Sequence, residues 1–258
     1  MKIAAYQFAV TGDICENYKI IEHAVKMAIA QNIRLLVFPE CALTGYPPLE
    51  IDSCQAIDFP RLNHHIEKLR RLAIDYNLYI ICGMVLQDRK DFHNSMLVFA
   101  PDGTQSEPYH KRALWGWDKD QFIPGQTAGV YQIDNYRIGV RICFEVRFPE
   151  YFRELFKAET DLNIVAFSDT NNEDNLGRYE LIKALLVTRA CENACPILSV
   201  NHIKPYQTAP TVYINENGKI LAEAERGAYQ LLIADFVPRK SSFGTEGRLQ
   251  ISRKLLIK

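Results

Sequence analysis

Tyr136-Arg137-Ile138-Gly139-Val140-Arg141-Ile142-Cys143-Phe144-Glu145-Val146-Arg147-Phe148-Pro149-Glu150 runs as an apolar segment into a thiol, then through a polar turn toward a helix. Tyr136–Ile142 reads as a strand and Glu150–Lys157 as a helix. Asp161–Phe167 follows as a second apolar strand. A strand, a crossover helix and another strand make a β-α-β unit, and such units place helices on the faces of a sheet.

The same alternation extends in both directions. Upstream, Tyr131-Gln132-Ile133 and Tyr136–Ile142 flank Asp134-Asn135, a hairpin signal. Lys2–Phe8 reads as a strand. Glu16–Gln31 has apolar residues at helical spacing, and Arg34–Phe38 is a buried strand ending at Pro39-Glu40. Arg61–Tyr76 is a second helix. Tyr79–Val85 and Ser95–Phe99 are strands, with Pro101-Asp102-Gly103 turning after the latter. Downstream, Tyr179–Ala194 is helical, and Pro196–Asn201, Thr211–Ile214 and Tyr229–Asp235 are strands. Asn215-Glu216-Asn217-Gly218 turns between the last two. Hairpins among crossovers predict mixed sheets, hence an α/β sandwich. No G-x-G-x-x-G follows a strand and no G-x-x-x-x-G-K-[ST] occurs, which disfavours nucleotide-binding folds. Residues 1–258 read as one domain, with the basic, weakly patterned stretch 238–258 as a C-terminal tail that wraps the domain or crosses to a partner.

Composition narrows the function classes. Of 258 residues, 48% are hydrophobic and 24% charged, ordinary for a globular chain. Thirty basic and 31 acidic residues leave a formal charge of −1, so no electrostatic argument exists for nucleic acid or a membrane surface. Met1 to Val10 is too short and too interrupted for a secretory signal, and no segment reaches bilayer-spanning length. Seven irregularly spaced cysteines predict reduced thiols in the cytoplasm. Cys191 and Cys195 lie four apart without a second ligand pair, so they read as core rather than zinc ligands. A thiol redox protein would need a C-x-x-C at a helix start, and none exists.

Three polar residues close apolar strands, where active-site groups often sit. Glu40 follows Leu35–Phe38; partial burial would raise its pKa and suit it to be a base. Lys111 lies in Pro108-Tyr109-His110-Lys111-Arg112, a basic stretch that alone reads as surface. Cys143 ends its strand at a turn that offers backbone N–H groups to an oxyanion.

Taken together, the three resemble the nitrilase superfamily of carbon–nitrogen hydrolases. Phe38-Pro39-Glu40 with Leu43-Thr44-Gly45-Tyr46 is similar to the family's glutamate motif, His110-Lys111-Arg112 to its lysine motif, and Cys143-Phe144-Glu145-Val146-Arg147-Phe148-Pro149-Glu150 to its cysteine motif. Asn94-Ser95, Pro101-Asp102-Gly103, Thr188–Asn193, Val200-Asn201 and Asn217-Gly218 extend the likeness from Lys2 to about Asp235. One departure stands out. Before Phe122-Ile123-Pro124-Gly125 the family often has a second glutamate, and the matching position here is Asp118, with Asp120 a nearby competitor.

The resemblance implies a four-layer α-β-β-α sandwich and hydrolysis of a small linear amide. Cys143 would be the nucleophile, Glu40 the proton-transfer base, and Lys111 with the Phe144 N–H the oxyanion donors. Neither a metal nor an organic cofactor is implied, and at least a homodimer is. An N-carbamoyl amino acid or amine hydrolase and a non-catalytic scaffold remain alternatives; a nitrile hydrolase or the glutaminase module of an NAD synthetase fits less well. Tyr46, Arg147 and Asn171 are candidate substrate contacts. Arg147 either holds a substrate carboxylate or pairs with Glu145. The polar stretch Ser168–Asn175 either lines the pocket or is a solvated loop. Trp115 and Trp117 wall a pocket or pack at a subunit contact.

Overall fold

The computed structural model describes residues 1–238 and 243–256. Strand β1 (Lys2–Gln7) leads to helix α1 (Ile14–Ala30), strand β2 (Leu35–Val37), helix α2 (Phe59–Asp75) and strand β3 (Tyr79–Asp88). Strands β4 (Asp91–Phe99) and β5 (Tyr109–His110) follow, then the short helix α3 (Asp118–Gln121). The second half repeats the device: β6 (Val130–Ile133), β7 (Tyr136–Ile142), α4 (Pro149–Lys157), β8 (Leu162–Phe167), β9 (Thr170–Asn171), α5 (Leu176–Asn193) and β10 (Ile197–Asn201). It closes with β11 (Tyr206–Gln207), β12 (Val212–Ile214), β13 (Ile220–Glu223), β14 (Gln230–Asp235) and α6 (Phe243–Leu256).

Two six-stranded sheets result, in the orders β14-β1-β2-β3-β4-β5 and β13-β12-β10-β8-β7-β6. Each has three parallel strands at its centre, β1-β2-β3 and β7-β8-β10, flanked by antiparallel neighbours. The central strands β2 and β8 are buried throughout, which explains their unbroken apolar runs. Side-chain alternation then sorts the core into layers. Ile3, Ala5, Leu35 and Val37 meet Ile138, Val140, Ile142, Ile164 and Val200 between the sheets. Ala4, Tyr6 and Leu36 face the apolar stripes of α1 and α2 (Ile21, Val25, Leu62, Leu69). Val165, Phe167 and Ile197 face α4 and α5 through Phe152, Ile182 and Leu186. The expected four-layer α-β-β-α sandwich is therefore observed.

Three departures from the sequence reading have local causes. The β3–β4 hairpin continues past Val85 and begins before Ser95, with Asp88 opposite Asp91. Its distal arm is too polar to register as a strand, although the ladder persists. The turn at Asn215–Gly218 leads into β13, a half-exposed edge strand, rather than into β14. Strand β14 crosses to the other sheet and pairs with β1. The stretch read as a weakly patterned tail contains α6: Leu249 is buried, and Arg248 donates to the Cys191 carbonyl at 2.9 Å and to Asn217 Oδ1 at 2.7 Å. Residues 239–242 and 257–258 of that stretch lie outside the described residues. Among those described, no helix is long and apolar enough to cross a membrane.

Gly83 on β3 shows how closely the first sheet approaches the loop after β2. A Cβ there would lie 2.2 Å from the Pro39 carbonyl oxygen and 2.8 Å from the Glu40 Cα. Only a missing side chain allows this approach. Gly83→Ala is expected to destabilise the fold by about 1–3 kcal/mol, the usual range for overpacking, seen as a lower urea midpoint. Gly244→Ala, where an added Cβ meets open space, should leave the midpoint unchanged or slightly raised.

Candidate active site

Glu40, Lys111 and Cys143 come from the C-terminal ends of β2, β5 and β7, brought together where the two sheets face each other. Glu40 follows β2 and is buried; the next residue, Cys41, has φ +51°. Backbone bonds hold the lysine segment: Lys111 N–H donates to the Asn94 carbonyl at 2.8 Å, and Gly125 N–H donates to the Lys111 carbonyl at 2.9 Å. Cys143 opens a 3₁₀ turn, Cys143–Arg147, with φ +46°. A β-carbon residue in this left-handed region carries strain, which the surrounding bonds must hold.

The polar groups form one network. The Lys111 ammonium donates to Glu40 Oε1 and lies 2.8 Å from it and 2.8 Å from Asp118 Oδ2. Asn94 Nδ2 donates to Glu40 Oε1 at 2.7 Å, and Ser168 N–H donates to Glu40 Oε2 at 2.7 Å. Asp118 also accepts from Trp115 N–H at 2.9 Å and from the Tyr46 hydroxyl. Asp118, the shorter acid, thus reaches Lys111 directly, while Asp120 is exposed. The lysine ammonium also lies 5.7 Å from the Tyr46 ring centroid, a cation–π distance.

Two buried carboxylates flank one buried ammonium, and their protonation follows. Burial pushes the Glu40 pKa up, Asp118 adds to the rise, and Lys111 and Asn94 oppose it. Burial alone would lower Lys111, but Glu40, Cys143, Tyr46 and Asp118 outweigh it and hold the ammonium charged. The Cys143 thiol is pushed well up by burial and then by Glu40, with Lys111 pulling the other way. At neutral pH Cys143 is therefore a thiol, and the thiolate arises only as a proton leaves.

Cys143 and Lys111 line a cavity of about 410 Å³. Tyr46, Phe144, Arg147 and Asn171 line it too, as do Trp115 and Trp117, whose rings meet edge to face at 4.7 Å. Ser168, Asp169, Thr170, Asn172 and Asn175 contribute the polar wall, so the stretch after β8 is pocket rather than free loop. Asn171 is an exposed rim residue whose Oδ1 accepts from Asn172 N–H at 2.8 Å.

Glu145 and Arg147 form no ion pair among the described residues, which corrects one sequence expectation. Glu145 is fully buried and faces the opposite way. Its carboxylate accepts from the Tyr109 hydroxyl at 2.8 Å, Arg112 N–H at 2.7 Å and Ile142 N–H at 2.7 Å, with Ala113 N–H at 3.4 Å. Tyr109 and Arg112 flank Lys111, and Ile142 precedes Cys143. One carboxylate thus ties the lysine segment of the first sheet to the cysteine turn of the second. Sequence reasoning also missed Arg178, which pairs bidentately with Asp169 at 2.7 Å on the cavity wall. Nothing local marks these long-range partners. The Asn94-Ser95 match was the one available signal for Asn94. Among the described residues, no cluster of three or more His, Cys, Asp or Glu is arranged to hold a metal ion.

The two-sheet sandwich agrees with the comparisons to known proteins. The carbon–nitrogen hydrolase family model matches residues 2–240, and the chain belongs to that family. It is 26% identical over 232 residues to the 2-oxoglutaramate amidase of Bacillus subtilis, covering 87% of this chain and 86% of that protein. It is 26% identical over 191 residues to a hydrolase of Mycobacterium tuberculosis and spans 66% of that relative's length. An amidase from Nesterenkonia superposes with a TM-score of 0.83 at 24% identity, covering all of this chain and 95% of the other. Solved forms of that amidase hold butyramide, or carry the acetamide moiety of fluoroacetamide bonded to the active-site cysteine.

Glu145→Gln would turn an amide N–H₂ toward a backbone N–H and leave a buried donor unpaired. It is expected to cost about 3 kcal/mol, measured as a lower urea midpoint with an unchanged slope.

Proposed function

We propose that the protein hydrolyses the C–N bond of a small linear amide through a thioester on Cys143. The observation that carries this is the Lys111 ammonium bridging two buried carboxylates, with Cys143 on a positive-φ turn at the same cavity. In the first step Cys143 Sγ bonds to the carbonyl carbon while its proton passes to Glu40. The carbonyl oxygen gains negative charge, stabilised by the Lys111 ammonium and the Phe144 N–H. Glu40 then protonates the nitrogen, the C–N bond breaks, and ammonia or an amine leaves. Water attacks the thioester as Glu40 takes its proton; the C–S bond breaks, the acid departs and the proton returns to sulfur. Asp118 keeps Lys111 charged through both steps.

The acyl chain is read as carrying a carboxylate. Arg147 lines the cavity and, among the described residues, has no carboxylate partner, so this half-buried cation is free for an anionic group. The Bacillus relative named for 2-oxoglutaramate, an amide with a carboxylate at the other end, favours the same class. An N-carbamoyl amino acid would use the same contact. All seven cysteines are free thiols, which supports a reducing compartment.

Ammonia release across a panel of small amides and N-carbamoyl compounds tests this. Turnover should be abolished by Cys143→Ala. Arg147→Ala should raise KM about tenfold or more for carboxylate-bearing amides and leave butyramide unaffected. No release from any compound, together with no preferential alkylation of Cys143 by iodoacetamide, would overturn the enzyme reading in favour of a scaffold.

The pH profile has a defined sign. Protonated Glu40 is not basic enough to take the Cys143 proton, so kcat/KM should fall as pH drops through the Glu40 pKa. Burial places that limb above the usual carboxylate range. Asp118→Asn removes a nearby negative charge and should move the limb to lower pH.

A further inference from the structure

We infer that Asn201 is a positioning residue for Glu40, acting through the backbone of Asp169, the residue that follows Ser168. The inference rests on the reading of Glu40 as the base. Of the three donors on the Glu40 carboxylate, Asn94 and Lys111 are carried by the first sheet. The third, Ser168 N–H at 2.7 Å, is carried by the second, just past the end of β8. What fixes the chain at Ser168 therefore fixes one side of the base.

Asn201 is the last residue of β10 and lies in register beside Phe167 of β8. It is fully buried, and its side-chain amide grips the backbone of Asp169, the residue after Ser168, on both sides. Its Oδ1 accepts from Asp169 N–H at 2.9 Å, and its Nδ2 donates to the Asp169 carbonyl at 2.8 Å. The second Nδ2 hydrogen goes to the Ala209 carbonyl at 2.8 Å, which removes the alternative orientation of the amide. Asn201 N–H in turn donates to the Thr211 hydroxyl at 3.0 Å. The Asp169 side chain is held separately, by the Thr208 hydroxyl at 2.5 Å and by Arg178. Neither Asn201 nor Thr208 lines the cavity, so neither is placed to touch substrate.

A donor aimed at a carboxylate favours its charged form. Loosening the Ser168 peptide weakens that donor, so the Glu40 pKa rises and the acid limb of kcat/KM moves to higher pH. A misplaced base also slows proton transfer, while substrate contacts stay in place.

The experiment uses the full chain with the best amide from the panel above, comparing the parent, Asn201→Ala, Thr208→Val and Glu40→Gln. Loss of turnover in Glu40→Gln tests the base reading by itself; retained turnover there would remove the premise. With that loss established, Asn201→Ala should lower kcat between about tenfold and a hundredfold with KM within about twofold, and shift the acid limb upward. Thr208→Val should do the same to a smaller degree, and it supplies the answer if Asn201→Ala fails to fold. A variant that folds and loses only thermal stability, with kcat and the acid limb where the parent has them, would overturn the inference.

Discussion

The site depends on a single buried carboxylate that carries no substrate role. The two sheets meet through an apolar layer, and apolar contact is non-directional: it holds the layers together without dictating their lateral register. Glu145 supplies the direction. It receives donors from Tyr109 and Arg112 on one sheet and from Ile142 on the other, at the end of the sandwich where the loops converge. The separation between Lys111 and Cys143 is thereby set by hydrogen bonds rather than by packing.

A second constraint is electrostatic. A buried lysine is costly unless paired, and here it is shared by Glu40 and Asp118. Burial disfavours the thiolate of Cys143 and the carboxylate of Glu40 alike, Glu40 adds to the rise at Cys143, and Lys111 opposes both. The resting cluster therefore resists ionising its nucleophile, and proton movement is tied to bond formation at sulfur. Asp118 reaches Lys111 with its carboxylate held by the Tyr46 hydroxyl and Trp115 N–H.

Much of this was legible along the chain because period and punctuation act locally. Apolar runs at Leu35–Phe38 and Asp161–Phe167 gave buried strands, and Glu40 and Ser168, which follow them, meet in one hydrogen bond. The partners were not legible. Asn94, Ser168 and Asn201 act across long stretches of chain, and their meeting follows from sheet order, which periodicity does not encode. The polar arm of β3–β4 that carries Asn94 ran beyond the alternating pattern used to define strands. The expected Glu145–Arg147 pair failed for a geometric reason: residues two apart in a tight helical turn point to different sides. Strand β13 and helix α6 were missed because edge and surface elements bury too few residues to impose a period.

The chain has two tryptophans, Trp115 and Trp117, and both stand edge to face at the mouth of the cavity, with Trp115 bonded to Asp118 through its backbone. Indole emission responds to local polarity and contact. Because no other indole dilutes the signal, the tryptophan emission of this protein, excited beyond the tyrosine band, originates at this cavity and reports on what enters it.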